Sequence, residues 1–273
     1  MSGPARLADR GAVLFSGGTD STLAAYLLAR RVEEVSLLTF NPGFVFFIEN
    51  SRRHVDRLAR SVPDTHIKHV ILDIAPLTRE VLVGDLSHDL PKYGFNLTSL
   101  CCLGCRMSMH AAGLIHCLEN EIPVIVDGSI RKQSTIPEQL ESFIRRNRHA
   151  LWGRYGVHHY SPIYEEERSD RKLDELGMSF RTSLKKQFIF FDTQGTCPLG
   201  VTADVYGRLF YGKVSGEARE VDSWEYSEEK YPVIQRLVER HFAQRDDDLE
   251  ARIAMLKKKN ESLPEAWPVE DDG

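Results

Sequence analysis

The stretch Ala12-Val13-Leu14-Phe15-Ser16-Gly17-Gly18-Thr19-Asp20-Ser21-Thr22 decides how this chain folds. Four apolar residues run into Ser-Gly-Gly, and from Thr22 to Arg31 the residues Leu23, Ala24, Leu27 and Leu28 recur with a helical period. Strand, glycine turn, helix is the opening of a βα unit. In a doubly wound sheet a glycine turn at a strand's carboxyl end is where phosphate binds. Adjacent glycines admit a ligand close to the backbone, and the helix N-terminus adds roughly half a positive charge. Ser16 and Ser21 add hydroxyl donors. Asp20 repels phosphate by itself and makes sense there with a Mg²⁺ ion bridging it to the phosphates. No Walker-type lysine follows and there is no G-x-G-x-x-G. The plain structural alternative is a tight turn with Asp20-Ser21 capping the helix.

Outward from this turn the pattern repeats. Val35–Phe40 reads as a second buried strand closed by Asn41-Pro42-Gly43, and a helix is expected from about Ser51 to Ser61. His69–Ile74 reads as a third strand, Met107–Leu118 as an amphipathic helix, Pro123–Val126 as a fourth strand and His158–Ile163 as a fifth. Strands alternating with helices imply an α/β fold, a doubly wound, Rossmann-like parallel sheet covered on both faces. A helical C-terminal extension follows, with Tyr231, Ile234, Leu237, Val238 and Phe242 on one face. The expected division is a catalytic domain over 1–215 and the extension over 216–273, with the break near Val214–Trp224.

The chain has 273 residues, 35 Lys+Arg against 40 Asp+Glu, a net charge of −5 and five cysteines. From Glu217 to Gly273 there are 16 acidic and nine basic side chains, so residues 1–216 carry +2 and the acidity belongs to the tail. Within Arg131–Arg154, Arg131, Lys132, Arg145, Arg146, Arg148 and Arg154 outnumber Glu138 and Glu141. The overall charge speaks against a nucleic-acid coat protein but leaves room for one basic face meeting a polyanion. No apolar run approaches the roughly 20 residues a membrane span needs. The N-terminus shows no secretory signal, so a cytoplasmic, reducing setting is expected, where clustered cysteines point to metal or sulfur chemistry rather than disulfides. Cys101, Cys102 and Cys105 are so clustered, the last two forming C-x-x-C ahead of the Met107 helix, and Cys197 follows 92 residues after Cys105.

Read whole, SGGTDS resembles the SGG-x-DS signature of the PP-loop ATP pyrophosphatases, a superfamily with an adenine nucleotide alpha hydrolase-like fold. The resemblance implies cleavage of ATP between its α- and β-phosphates, transfer of AMP to a substrate oxygen and loss of pyrophosphate. It assigns Ser16, Gly17, Gly18, Asp20 and Ser21 to pyrophosphate and Mg²⁺, and the adenine to the end of the second strand, Leu38, Thr39 and Phe40. The order of C-x-x-C and a distal cysteine is similar to that of the iron–sulfur tRNA thiolases of this group. That implies a [4Fe–4S] cluster on Cys102, Cys105 and Cys197 with one iron open for sulfide or substrate. The same cysteines also admit a persulfide relay without iron, or Zn²⁺ with Cys101, Cys117 or His110 as a fourth ligand. Cys117 fits core packing as well as ligation.

Asp127-Gly128-Ser129-Ile130-Arg131 follows the fourth strand at the same end of the sheet. Gly128 and Arg131 are expected at the nucleotide, with Arg131 and Lys132 neutralising the α-phosphate, although the family's common Gly-His is here Gly128-Ser129. Lys185 and Lys186 are further phosphate candidates or plain surface lysines. His158-His159 reads as a strand pair, and Asp246-Asp247-Asp248 as a solvated turn or cap. The reading is an adenylating sulfurtransferase. Its first partner is tRNA through Arg131–Arg154, with sulfide or a sulfur-donor protein as source, and a homodimer is left open. The alternatives are sulfur transfer to or from a small molecule or free nucleobase, a zinc-containing amide- or nitrile-forming nitrogen ligase, and a non-catalytic adenine-nucleotide sensor.

Overall fold

The computed structural model describes residues 4–93, 97–133, 136–178, 195–198 and 220–268. Five strands form one sheet: β1 Arg10–Leu14, β2 Glu34–Asn41, β3 His66–Asp73, β4 Val124–Val126 and β5 His158–Tyr160. Their order is β3-β2-β1-β4-β5 and every pairing is parallel. The chain leaves β1 toward β2 on one side and returns to β4 on the other. The order therefore reverses beside β1, and the crevice at the carboxyl ends of β1 and β4 is the topological switch point.

The pleat divides the strand side chains between two cores. Ala12, Leu14, Leu38, Phe40 and Ile125 face one, while Val13, Phe15, Val35, Leu37, Val124 and Val126 face the other. The second face is covered by α1 Thr19–Ala29, α2 Arg52–Ser61 and α7 Ser169–Glu175, through Leu23, Leu28, Leu58 and Leu173. The first face is covered by α5 Leu97–Glu119 and α6 Glu141–Asn147, and behind α5 by the C-terminal helices α8 Glu220–Ala243 and α9 Leu249–Asn260. Two short helices, α3 Ala75–Thr78 and α4 Leu86–Tyr93, precede α5. Among the described residues no helix is long and apolar enough to cross a membrane.

Several boundaries move. The helix expected to start near Met107 begins at Leu97, so the C-x-x-C lies inside it rather than ahead of it. Leu100, Leu103 and Met107 are all buried and carry the apolar stripe back at helical spacing. Gly104 lies within the extension, where a Cβ would stand 2.8 Å from Leu82 Cδ1 and from the Tyr226 hydroxyl. The first tail helix spans Glu220–Ala243, and β5 ends at Tyr160, two residues before Pro162. Asp248 accepts a hydrogen bond from the Ala251 backbone N–H at 3.0 Å, the cap that the acidic run suggested. Lys185 and Lys186, and most of the break near Val214–Trp224, lie outside the described residues.

The tail is also tied by charge. Lys230 of α8 is 1% exposed at its side chain and reaches Asp89 of α4, 0% exposed, at 2.8 Å; Asp85 stands 3.2 Å from the same nitrogen. Removing one member of a buried pair leaves the other charged and uncompensated. Lys230→Met is expected to lower unfolding stability in urea by about 3–5 kcal/mol. The double change Lys230→Met with Asp89→Leu should recover most of the loss. Equal stability of the wild type and Lys230→Met would refute this account.

Candidate functional site

The turn after β1 closes on itself. Gly17 takes the left-handed conformation, φ +80°, and Gly18 caps α1, whose first turn contains Thr19, Asp20 and Ser21. The Gly18 N–H donates to Ser16 Oγ at 3.2 Å, and the Ser16 N–H donates to Ser21 Oγ at 3.3 Å. Ser21 Oγ and Thr22 Oγ1 donate to the Gly18 carbonyl at 3.2 and 2.8 Å. The loop is thus a cup preformed over a helix N-terminus, the setting in which backbone N–H groups and the helix dipole receive an anion. Thr39 Oγ1 donates to the Phe15 carbonyl at 2.8 Å and fixes the cup to the end of β2.

A cleft of about 460 Å³ opens over this cup. Ser16, Gly18, Asp20 and Ser21 line it with Thr39 and Phe40 of β2, Val45 and Ile48 beyond it, Gly128 and Ser129 after β4, Arg106 of α5, and Cys197. Leu38 is buried in the sheet. Burial raises the Asp20 carboxyl above its usual range, offset in part by the Ser169 hydroxyl and Lys132. A second concavity, about 760 Å³, lies at the opposite, amino end of the strands. Its charges already pair with one another: Lys68 meets Glu34 at 2.9 Å and Lys259 meets Glu121 at 3.2 Å. Size does not choose the site here; the glycine cup at the carboxyl ends of the strands does.

Gly128 allows the two halves of the crevice to meet. A Cβ on it would stand 2.6 Å from the Ser21 backbone nitrogen and 2.8 Å from the Asp20 carbonyl carbon, so no larger residue fits without displacing the cup. Next to it, Asp127 is fully buried and gathers three elements. It takes a charged contact from Arg106 Nη2, meets His159 Nε2 of β5 at 3.1 Å and accepts from the Ser129 N–H at 3.1 Å. Desolvation would raise this carboxyl, but His159 and Arg106 outweigh it and hold it well below the ordinary carboxylate range. Arg106 Nη2 also lies 3.4 Å from Ser129 Oγ, so the guanidinium is clamped at the wall of the cleft.

Arg131 stands elsewhere. Its guanidinium contacts Glu165, lies 3.7 Å from Glu141 and sits 5.4 Å from the Tyr164 ring centroid, and it is not among the cleft's lining residues. Among the described residues, Arg106 is the cation that lines the cleft. Sequence reasoning passed over it, although it directly follows Cys105. Arg146 of the basic stretch contacts Glu228 and lies 4.2 Å from the Trp224 ring centroid, whereas Lys132, Arg145 and Arg154 are exposed.

The cysteines converge. Cys102 and Cys105 lie one helical turn apart on α5, and Cys197 belongs to a segment bridged to Phe46: the Phe46 N–H donates to the Thr196 carbonyl at 2.9 Å, and the Thr196 N–H returns the bond at 2.7 Å. Burial raises the thiols of Cys101, Cys102 and Cys105, that of Cys105 to about 12, and the nearby Cys197 raises each further. Glu138 adds to the shift at Cys102 and Cys105. Crowded, desolvated thiols of this kind stay protonated until a cation displaces the protons. Cys117 is fully buried in the core, away from this group.

The model of the QueC family, a queuosine biosynthesis protein, matches residues 10–91, from β1 through the glycine cup to α4. The matched residues contain the glycine cup, the part of the chain that resembles the PP-loop ATP pyrophosphatases. The match ends before α5, so the cysteine site lies outside it. Among solved structures, one described as a predicted subunit of a tRNA methyltransferase from Methanocaldococcus jannaschii is 18% identical, covering 69% of this chain and 95% of that one at a TM-score of 0.35. The U34-tRNA thiolase NcsA from Methanococcus maripaludis, with its [4Fe–4S] cluster, is 11% identical, covering 85% of this chain and 74% of its own at a TM-score of 0.37. Both overlaps are loose. No curated protein matches the sequence.

Two outcomes follow from the glycine cup and the buried histidines beside it. Gly128→Ala should weaken binding of Mg²⁺ and a non-hydrolysable ATP analogue by at least about tenfold, roughly 1.4 kcal/mol, in calorimetric titration; unchanged affinity would count against the close packing. The second concerns pH. Burial lowers the imidazoles of His110 and His159, so the folded protein holds fewer protons than the unfolded chain below about pH 6.5. Stability should fall between pH 7 and pH 5, by at most about 1.4 kcal/mol per pH unit for each histidine. The Asp127 contribution, present above the unfolded carboxylate pKa, should persist through this window. A flat urea midpoint from pH 7 to pH 5 would contradict the buried neutral pair.

Proposed function

We propose that the protein adenylates a substrate oxygen with ATP and replaces it with sulfur, on a tRNA base. The observation that carries this reading is that Cys197 lines the same cleft as Asp20, Ser21 and Arg106 and lies beside the C-x-x-C of α5. Nucleotide chemistry and sulfur chemistry thus share one enclosure.

The steps balance without a redox partner. The substrate oxygen attacks the α-phosphorus, the bond to the β-phosphate oxygen breaks, and pyrophosphate leaves. The backbone N–H groups around Gly17 and Gly18 and the N-terminus of α1 receive its charge, and Asp20 holds Mg²⁺ against it. Arg106, kept in place by Asp127, faces the negative charge that develops on the α-phosphate. Hydrosulfide-level sulfur then attacks the activated carbon, the bond to the AMP oxygen breaks, and a proton is released with AMP.

The donor set fits a [4Fe–4S] cluster better than a compact zinc site. Among the described residues the one trio of His, Cys, Asp or Glu donor atoms lying within 4.8 Å of one another is His88, Asp89 and Glu229, which includes none of the cysteines. Thiolates on a single Zn²⁺ stand roughly 3.8 Å apart, given Zn–S bonds near 2.3 Å. Thiolates on separate irons of a cubane stand wider. Cys102, Cys105 and Cys197 would hold the cluster, which supplies an iron free of protein thiolate and able to take a sulfur ligand. The exposed Lys132, Arg145 and Arg154 support a polyanionic substrate, and Lys132 acts electrostatically on Asp20 itself.

Anaerobically purified protein should contain iron and acid-labile sulfide, absorb in the visible and release pyrophosphate from ATP in the presence of unmodified tRNA. Asp20→Ala should reduce that release by at least about a hundredfold, or 2.7 kcal/mol in barrier, while leaving the iron content unchanged. Nucleoside mass spectrometry of a deletion strain should show one thiolated nucleoside lost. A colourless zinc protein would sink the cluster, and an unchanged nucleoside profile would move the substrate to a small molecule.

A further inference from the structure

One buried group beside the cysteines is used by neither the fold nor the steps above. Glu138 sits on a short 3₁₀ turn, Pro137–Gln139, packed against α5. The turn is pinned on both sides: Gln139 Oε1 accepts from the Ile130 N–H at 3.2 Å, Tyr164 Oη donates to the Gln139 carbonyl at 3.2 Å, and the Ile136 N–H donates to the Gln133 carbonyl at 2.8 Å. Part of the residue reaches solvent, yet its Oε2 is enclosed and has no hydrogen-bond partner. A buried carboxyl oxygen left without a donor is costly and gains from any cation brought to it. The nearby cation Arg106 is already clamped by Asp127. Glu138 lies close enough to Cys102 and Cys105 for its charge to act on both thiols.

We propose that Glu138 is the fourth, exchangeable protein ligand of the cluster carried by Cys102, Cys105 and Cys197, binding the iron that no thiolate reaches. This rests on the cluster reading given above. A hard carboxylate on an iron among soft thiolates is the ligand most readily displaced by sulfur, so the same residue protects that iron at rest and yields it in use. Ligation is an exchange without electron transfer: the carboxyl gives its proton to solvent and its oxygen lone pair to iron, and both return when the sulfur ligand enters. Cys101 is the competing donor; it lies beside Cys102 in sequence and senses Cys197, but Glu138 is not among the groups acting on it.

The test uses the full-length chain, reconstituted anaerobically with iron and sulfide, and reads iron and sulfide content, electron paramagnetic resonance and the rate at which one iron is lost on mild oxidation. Glu138→Gln should accelerate that loss by at least about the tenfold that removal even of an outer-shell partner costs a metal site, yielding the three-iron signal. Glu138→Cys should retain all four irons longer than the wild type does. Equal rates in the wild type, Glu138→Gln and Glu138→Cys would overturn the assignment and leave the cluster intact as a reading. Acceleration by Cys101→Ser but not by Glu138→Gln would give the position to Cys101 and overturn it likewise. A wild-type protein that binds no iron and sulfide overturns the cluster reading itself, and this inference with it. Should Glu138→Gln melt early by circular dichroism, the iron retention of Glu138→Cys decides.

Discussion

The buried ion pair between Asp127 and Arg106 is the constraint on which the site depends. It joins the end of β4 to the cysteine helix, and through His159 it reaches the neighbouring strand as well. A carboxylate with no exposure is tolerated only because three donors surround it, and breaking such a set costs far more than a surface pair would. The arrangement converts an expensive buried charge into position. Arg106 cannot swing away from the cleft, Ser129 is held by its own backbone, and Gly128 is delivered against the glycine cup. The cup and the cysteines lie on different elements, and this one carboxylate sets the distance between them.

The fold was legible because its signals are local. Five apolar runs, a glycine turn at the end of the first, and helical periodicity between them give the parallel order without reference to tertiary contacts. The misplaced ends are those where packing outruns local chemistry. The cysteine helix extends ten residues further back, where Leu100 and Leu103 find a core.

The site divided along the same line. Ser16, Gly17, Gly18, Asp20 and Ser21 are contiguous, and a contiguous motif carries its geometry with it. Arg106 and Glu138 acquire meaning only when α5 and the turn at Pro137–Gln139 lie together, and no periodicity announces such a meeting. Arg131 shows the converse. Its sequence position after β4 points at the nucleotide, yet Glu165 and Glu141 draw the side chain outward. A long, flexible arginine goes where its counter-charges are, and those counter-charges are distant in sequence.

The antiparallel bridge between Phe46 and Thr196 has a mechanical consequence. It is two hydrogen bonds long, and it hangs Cys197 from the segment that follows β2, where Val45 and Ile48 wall the cleft. Anything that shifts that wall moves one sulfur relative to the two that the helix holds rigid. The wall of the cleft and the third sulfur therefore share one short strand contact, and the lever between them is two residues long.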